Sequence, residues 1–433
     1  SDNNRFLRLW FEVKYEAIGI GCKNSEDALN SMKKWFPYNK GGYFRKWYGN
    51  NEFIINYEND GYEVKEYARK LYNTPTRTIK SISEYFKPSL SWSKISSGNI
   101  AFRFYPAGYV FDVAGCSIFV ENKYMNYMLG FLNSKVSQQI LFAISPTLNY
   151  EAGHIASLPL IIDNHDLNIV DDVVNNSINI SRTDWNSFET SRDFERHPML
   201  KFNSDTIESA FKQLESFAKE QFNQLKENEE ELNRIFIDIY GLQDELTPEV
   251  ADEDVTVSKA ELERDIKSFI SYAVGCTLGR YSLDEDGLIY AGGEFDPSRY
   301  KSFSADEDNI LPILPGAYFE DDIVNRFIKF VEVTYSAEML EENLQFVADA
   351  IGRKKNETAL EAIRRYFLNN FYKDHVQTYK KHPIYWLFTS GKEKAFNCLI
   401  YMHRYDKTTL SRIRTDYLHE VQTRYESIKQ DLQ

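Results

Sequence analysis

Cysteine is scarce in this chain of 433 residues: there are four, and no two form a Cys-x-x-Cys pair. A disulfide framework needs many closely spaced cysteines and a structural zinc site needs paired ones, so the sequence predicts neither. Free thiols are typical of a cytoplasmic protein. No apolar run approaches the roughly 18 residues that span a bilayer, and the opening SDNNRFLRLW does not resemble a signal peptide. We therefore expect a cytoplasmic chain with no membrane partner.

Several motifs of catalysis and cofactor binding are also absent. None of the twelve prolines is adjacent to another, so the chain lacks the Asn/Asp-Pro-Pro-aromatic loop with which amino-methyltransferases hold a flipped base. There is no GxxxxGK[ST] phosphate loop and no HExxH. Gly19-Ile20-Gly21 is followed by Asn24 where a dinucleotide-binding turn needs a third glycine. The seven histidines lack metal-ligand spacing. We predict no catalytic residue, no metal and no cofactor within this chain.

The net charge is −14, but the acidic excess is confined to the middle of the chain. Residues 1–150 hold 19 Lys and Arg against 13 Asp and Glu, and residues 351–433 hold 16 against 9. Residues 151–350 hold 16 Lys and Arg against 43 Asp and Glu. Because Lys and Arg neutralise phosphate, a polyanion would be attracted to the ends and repelled by the middle. The alternative is that these charges only solvate the surface.

Residues 1–165 read as a mixed α/β domain. Short segments rich in β-branched and aromatic residues recur between Gly and Pro, as in Phe53-Ile54-Ile55 and Tyr109-Val110-Phe111. The apolar spacing predicts two helices, over about 62–72 and 124–144.

The rest of the chain is predicted to be mainly helical. Residues 166–202 are polar and rich in Asn and Asp, which favours a loosely packed connection. A long helix then covers about 205–240, with a capping box at Asp205 and an end at Gly241. Its apolar residues recur every seven positions, which fits either a hairpin within the chain or pairing with another chain, and Glu229 interrupts the seam. The predicted class is α+β, with a mixed α/β domain (1–165), an acidic connector (166–257) and a mainly helical C-terminal domain (258–433).

One spacing is compatible with a nuclease. Asp112, Glu121 and Lys123 fit an Asp…Glu-x-Lys pattern, in which two carboxylates hold Mg²⁺ and the lysine orients the attacking water. The same Glu-Asn-Lys also makes sense as the turn before the helix 124–144. A hidden nuclease is therefore an alternative that Mg²⁺-dependent cleavage and Glu121→Ala would test.

Two clusters carry residues suited to nucleic acid. The segment PYNKGGYFRKWYGNN (37–51) interleaves cations and aromatics around glycines, and KPSLSWSKISSG (87–98) offers hydroxyls and cations. Cations contact phosphates or guanine edges, amides pair with adenine, and aromatic rings stack. The alternative is a hairpin with packed aromatics and solvated cations, followed by a polar turn. The predicted DNA-binding residues are Lys40, Arg45, Lys46, Trp47, Tyr48, Asn50, Asn51, Lys87, Ser91, Trp92, Ser93, Lys94 and Ser97.

These segments resemble a known family. The stretches 34–61 and 85–119, then SPTLNYEAGHIASLPLI (145–161), and finally HPIYWLFTSGK (382–392) and LIYMHRYDKTTLSRIRTDYL (399–418) are similar to PglX, the adenine-specific DNA methyltransferases of BREX phage-defence systems. The similarity is to the C-terminal part of that family, from the target-recognition region onward, and it covers essentially the whole chain. It implies that residues 1–165 are a DNA target-recognition domain. Single-chain restriction–methylation enzymes carry a related region.

The resemblance implies that this chain positions double-stranded DNA while an upstream domain, with S-adenosyl-L-methionine, flips an adenine and methylates N6 at host sites. Other BREX components and phage-encoded inhibitors are further expected partners. The base-reading residues vary within the family, so no base-by-base code is carried over. The alternative function is a protein-interaction scaffold that docks other defence subunits, with little DNA binding by this chain.

Overall fold

A computed structural model describes residues 3–96, 98–145 and 149–432. The chain forms two compact units. Unit 1 comprises Ser1–Asn186 and Ala218–Lys259, and unit 2 comprises Ser187–Phe217 and Ala260–Gln433. Each unit combines helices with small sheets, which confirms the α+β class. No helix in the described part of the chain is both long enough and sufficiently apolar to cross a membrane.

Unit 1 contains two small sheets. Its strands are β1 (Leu7–Leu9), β2 (Trp35–Asn39), β3 (Phe53–Asn56), β4 (Ser89–Ser93), β5 (Arg103–Tyr105), β6 (Val110–Phe111) and β7 (Gly115–Ile118). The first sheet has the order β1-β3-β2-β6, in which β6 pairs with β2 in parallel and the other pairs are antiparallel. The second sheet, β5-β4-β7, is antiparallel. The segment between β2 and β3 holds most of the first predicted DNA-binding cluster, 37–51, which begins within β2.

The helices of unit 1 follow the apolar pattern of the sequence with two differences. They are α1 (Asn3–Phe6), α2 (Ser25–Asn30), α3 (Glu58–Tyr72), α4 (Asn122–Asn133), α5 (Lys135–Ile144), α6 (Ala152–Ala156), α7 (Leu167–Trp185) and most of α8 (Ile207–Tyr240). The prediction of a single helix over 124–144 is wrong, because the chain is extended at Ser134. The Ser134 hydroxyl caps α5 by accepting from the Ser137 amide.

The predicted loose connection over 166–202 is also wrong. Most of its first half forms α7, and Val170, Val174 and Ile178 are buried in the core of unit 1. These three residues recur every fourth position, so a narrow apolar stripe holds an otherwise polar segment in place. The predicted connector 166–257 is shared between the two units. Whether the three predicted ranges act as functional domains stays a prediction.

The long helix α8 confirms the helix predicted over 205–240. Its N-terminal cap is Thr206 rather than Asp205, since the Thr206 hydroxyl accepts from the Ser209 amide at 3.2 Å. At its other end Gly241 has a φ of +65°, and the Leu242 amide bonds the Ile237 carbonyl at 2.9 Å. Leu225, Leu232 and Phe236 of α8 are buried in the core of unit 1, which favours packing within the chain over pairing with another chain.

Unit 2 is mainly helical, as predicted for the end of the chain. Its helices are α9 (Leu262–Thr277), α10 (Ile323–Thr334), α11 (Leu340–Ala350), α12 (Ala359–Tyr366), α13 (Tyr372–Thr378), α14 (Thr409–Arg412) and α15 (His419–Asp431). Two turns of wider π-helix, Phe367–Phe371 and Ile413–Leu418, join α12 to α13 and α14 to α15. Its sheet consists of β8 (Leu311–Pro312), β9 (Tyr385–Thr389) and β10 (Asn397–Tyr401) in the antiparallel order β8-β10-β9.

Candidate functional site

Residues 40–51, in the segment between β2 and β3, form a tightly held loop that we call the anchored loop. Its backbone is left-handed at Gly41 and Trp47, with φ of +71° and +69°. At Gly42 a Cβ would lie 2.5 Å from Cγ of Asn50, so a larger residue could not fit without displacing that side chain. The Asn50 amide in turn donates to the Tyr43 carbonyl at 2.9 Å. The loop therefore has one well-defined path.

Arg45 fastens the loop to helix α7. Its guanidinium donates to Asp184 Oδ2 at 2.7 Å and to the Ser181 carbonyl at 3.0 Å. The same group lies over the Trp185 ring, 5.0 Å from the centroid. The charge that was expected to meet phosphate is thus already paired within unit 1.

Lys46 and Trp47 fasten the loop to helix α8 through one carboxylate. Lys46 Nζ lies 2.5 Å from Glu229 Oε2, and Trp47 Nε1 donates to Glu229 Oε1 at 2.7 Å. Lys46 is 8% exposed and the other two side chains are buried as well. The Lys46 amide also donates to Thr256 Oγ1 at 3.1 Å. Glu229, which interrupts the apolar seam of α8, therefore bonds both loop residues.

Strand β4, from the second predicted cluster, supports the anchored loop directly. Ser93 Oγ accepts from the Gly42 amide at 2.9 Å and bonds the Gly42 carbonyl at 2.8 Å. Ser91 Oγ accepts from Asn39 at 2.6 Å. The buried Arg103 donates to the Arg45 carbonyl at 3.1 Å. The structure thus brings the two predicted clusters together, although they are some 50 residues apart in the sequence.

The predicted DNA-binding residues fall into two groups. Seven are buried: Lys46, Trp47, Tyr48, Asn50, Asn51, Ser91 and Trp92. Five keep some access to solvent: Lys40, Arg45, Lys87, Ser93 and Lys94. Ser97 lies outside the described residues. As DNA contacts all of them stay a prediction, but the five buried loop residues could reach DNA only if the loop left its anchors, and Ser91 and Trp92 only if strand β4 became exposed.

The accessible lysines differ in how they are paired. Lys87 bonds Glu84 at 3.0 Å and Lys94 bonds Glu151 at 2.8 Å, a hydrogen bond that raises the pKa of Lys94. Lys40 lies over the Phe53 ring at 5.9 Å. Two carboxylates from the acidic middle of the chain, Asp184 and Glu229, pair with Arg45 and Lys46 of this loop. That a polyanion is repelled by the acidic middle stays a prediction.

Sequence reasoning missed the most exposed side chains of the loop and its anchors. Tyr43 is 79% exposed and Phe44 is 37% exposed. Their position directly after Gly41-Gly42 was the available signal, since a pair of glycines marks a turn and turns lie at the protein surface. Of the two anchors, only Glu229 was marked in the sequence, because its charge interrupts an apolar seam. Nothing in the sequence marked Asp184. Phe44 also borders a polar cavity of about 370 Å³ that is lined partly by amides of α5 and α8.

The carboxylates of the nuclease alternative serve local structure. Asp112 Oδ1 accepts from the amides of Ala114 and Gly115 at 2.7 and 3.2 Å. Glu121 pairs with Lys123 at 3.3 Å on the surface. The nuclease alternative therefore rests on spacing alone.

Unit 2 holds one compact carboxylate group. Within the described residues, ligand atoms of Asp306, Asp308 and Asp321 lie within 4.8 Å of one another. Burial and the neighbouring Asp308 raise the pKa of Asp306 to about 7. The Tyr417 hydroxyl bonds Asp308 and Asp321 at 2.9 and 2.8 Å, and Arg412 lies 3.3 Å from Asp308. These partners account for the cluster as part of the fold.

Unit 2 also has a cavity of about 610 Å³ with a buried carboxyl group in its lining. Burial raises the pKa of Glu189 to about 7, against the lowering effects of Arg280 and of hydrogen bonds with Ser271 and Tyr379. His375 lines the same cavity, and burial lowers its pKa to about 3. At neutral pH the histidine is therefore uncharged, whereas Glu189 is close to its titration point.

The raised pKa of Glu189 predicts a pH-dependent stability. Between pH 4.5 and 7 the folded state keeps a proton that the unfolded state has lost, so this group's contribution falls as pH rises through that window. Glu189→Gln removes this titration. As the pH rises from 4.5 to 7, we expect the free energy of unfolding of the native chain to fall by about 3 kcal/mol relative to that of the variant. Urea unfolding followed by circular dichroism at several pH values measures this. Glu261→Gln changes an exposed residue of the same cavity, and its free energy of unfolding should depend on pH as that of the native chain does.

Comparison with known proteins gives relatives over almost the whole chain. No protein-family model matches. The adenine-specific methyltransferase PglX of Lacticaseibacillus casei (strain Zhang) is 44% identical over 438 residues, and the adenine-specific methyltransferase BrxX of Escherichia coli O9:H4 (strain HS) is 39% identical over 455 residues. Both comparisons cover 98% of this chain but 36% of the relative. The resemblance to PglX expected from the sequence is thereby confirmed: the chain matches PglX and BrxX adenine-specific methyltransferases and spans about a third of their length.

Proposed function

We propose that this chain is the duplex-DNA recognition module of a BREX-type adenine-specific methyltransferase. The observation that carries the proposal is the anchored loop, which exposes Tyr43 and Phe44 and leaves Lys40 partly exposed, on a backbone held by largely buried ion pairs. A recognition element gains affinity from such a fixed geometry, because little conformational entropy is lost on binding. The relatives' name, adenine-specific methyltransferase, makes DNA the natural partner.

The methyl transfer itself belongs to our proposal for the longer protein. In that protein a domain outside this chain would bind S-adenosyl-L-methionine and methylate N6 of an adenine, while the module described here would position host sites in phage defence. The residues of this chain would then bind and orient the duplex, and none of them would take part in the chemical step.

The test of DNA recognition uses the accessible cation of the loop. We expect Lys40→Ala to weaken binding to all duplexes and to reduce the slope of log K against log salt by about one, since one phosphate contact releases about one counterion. The measurement is a salt titration of fluorescence anisotropy with a labelled duplex. Lys70→Ala, at an exposed lysine of α3, is the matched control and should leave the slope unchanged. If the slope of log K against log salt were the same for the native chain, Lys40→Ala and Lys70→Ala, Lys40 would not be a phosphate contact.

A second candidate function, docking of other defence proteins, has one observation in its favour. Strand β9 is an edge strand of the unit 2 sheet, and Trp386 on it is about half exposed. Exposed strand edges and tryptophans are common at protein interfaces. Other BREX components and phage-encoded inhibitors would be partners of this kind. Two results together would favour this function: defence proteins would co-purify with the native chain but not with Trp386→Ala, and the native chain would not bind DNA.

A further inference from the structure

Four apolar side chains are exposed around the tip of the anchored loop. Tyr43 is 79% exposed and Ile95 is 74% exposed, and Phe44 and Val113 are exposed as well. We call these four residues the tip patch. Large apolar side chains that face water together usually mark a contact surface, because each square ångström left in water costs free energy that burial would recover.

The four residues share one place because their backbone neighbours are bonded to one another. Gly42, next to Tyr43, bonds Ser93 through both its amide and its carbonyl. Lys94, next to Ile95, donates its amide to the carbonyl of Ala114, which follows Val113, at 3.0 Å. The tip patch is therefore built from three separate chain segments that meet at one point of unit 1.

Hydrogen bonds and ion pairs hold the loop beneath Tyr43 and Phe44. Asn50 holds the Tyr43 carbonyl, and Arg103 holds the Arg45 carbonyl at 3.1 Å. Below them Arg45 is paired with Asp184 and Lys46 with Glu229, and all four side chains are largely buried. A side chain on such a base can be pushed into a partner without the loop yielding, which is what a wedge requires.

The surroundings of the tip patch favour duplex DNA over a protein as its partner. Lys40, which lies over the Phe53 ring, supplies a cation from the same loop, and Lys94 lies beside Ile95 with its charge paired to Glu151. Architectural DNA-binding proteins combine these features: cations meet the phosphates while apolar side chains enter the minor groove and partly unstack a base step. Tyrosine adds a flat ring that stacks on any base.

We propose that the tip patch is a wedge that enters the minor groove of duplex DNA, with Tyr43 as its leading side chain, and opens one base step. This inference rests on the proposed function and deepens it, because it says how the recognition module deforms its substrate. Opening a base step unwinds the duplex locally, so the effect can be measured without knowing the recognised sequence.

The experiment relaxes a closed circular plasmid with topoisomerase in the presence of the full chain, removes the protein and counts the supercoils that remain. Binding to the same plasmid is measured in parallel by filter retention. We expect the native chain and Tyr43→Phe to leave supercoils in proportion to bound protein. Tyr43→Ala should lose that change and bind about tenfold more weakly, as loss of one stacking contact implies. Tyr62→Ala, at an exposed tyrosine of α3, is the matched control and should behave as the native chain does.

The outcomes separate this inference from the proposed function. If the native chain bound the plasmid without changing its supercoiling, the wedge would be refuted while DNA recognition stood. The wedge would also be refuted if Tyr43→Ala, shown by circular dichroism to be folded, gave the same supercoiling and the same binding as the native chain. The tip patch would then be a surface for a protein partner. If the native chain failed to bind DNA at all, both proposals would fail.

Discussion

Replacing Glu229 with alanine is expected to lower the free energy of unfolding of unit 1 by about 3–5 kcal/mol, because the variant leaves the buried ammonium of Lys46 without its counter-ion. The Trp47 indole loses its acceptor in the same step. Urea unfolding followed by tryptophan fluorescence measures this, since five of the six tryptophans lie in unit 1.

Two further variants of α8 sharpen the test of Glu229. Glu227→Ala removes an exposed carboxylate of the same helix and should change the unfolding free energy by less than about 0.5 kcal/mol. Glu229→Gln keeps an acceptor for Trp47 but removes the charge, so its loss should lie between those of the two alanine variants. Equal stability of Glu229→Ala and Glu227→Ala would show that the Lys46 pair does not hold the loop.

The second large effect is expected in unit 2, at Asp322. This residue is fully buried, and its two oxygens bond the Arg364 guanidinium at 2.8 and 2.9 Å. Its Oδ1 also caps α10 by accepting from the Val324 amide at 2.9 Å. Asp322→Ala removes the ion pair and the cap together, so we expect a loss of about 3–5 kcal/mol in the free energy of unfolding of unit 2.

Hydrogen exchange measured by mass spectrometry reports on this loss locally. Peptides from α10 and α12 should exchange faster in Asp322→Ala, while peptides from unit 1 keep their native rates. Asp322→Asn retains the cap and should lose less protection at the start of α10 than the alanine variant. Glu320→Ala, at an exposed carboxylate two positions earlier, is the control. Native exchange in Asp322→Ala would mean that the pair contributes little to stability.

The sequence was most informative where the structure depends on local spacing. Helix α8 follows from an apolar repeat that can be counted along the chain, and Gly241 marks its end. Helix α7 was missed although its stripe of Val170, Val174 and Ile178 is equally regular, because a polar composition suggested a loop. The break at Ser134 was missed because the apolar pattern continues across it, and only the hydroxyl cap signals a new helix.

The candidate site was harder to predict, because its geometry depends on distant pairs. The composition of 37–51 marked the loop as unusual, yet the choice between solvated and packed cations could not be made from spacing. Arg45 and Asp184 are 139 positions apart, and Lys46 and Glu229 are 183 positions apart. No local pattern relates residues at such separations, so the burial of seven predicted contacts emerged only from the three-dimensional structure.

The wide separation of the loop from its anchors also sets an order of events during synthesis. The N-terminal end of a chain leaves the ribosome first, but Lys46 meets Glu229 only after a further 183 residues have been made, and Thr256 after 210. Until then the loop has its glycines and its cations but neither anchoring carboxylate. A nascent chain therefore carries an unpaired basic segment that acquires its final shape late, and contacts of such long range close slowly. A fragment that stopped at residue 165 would keep that unfinished loop permanently.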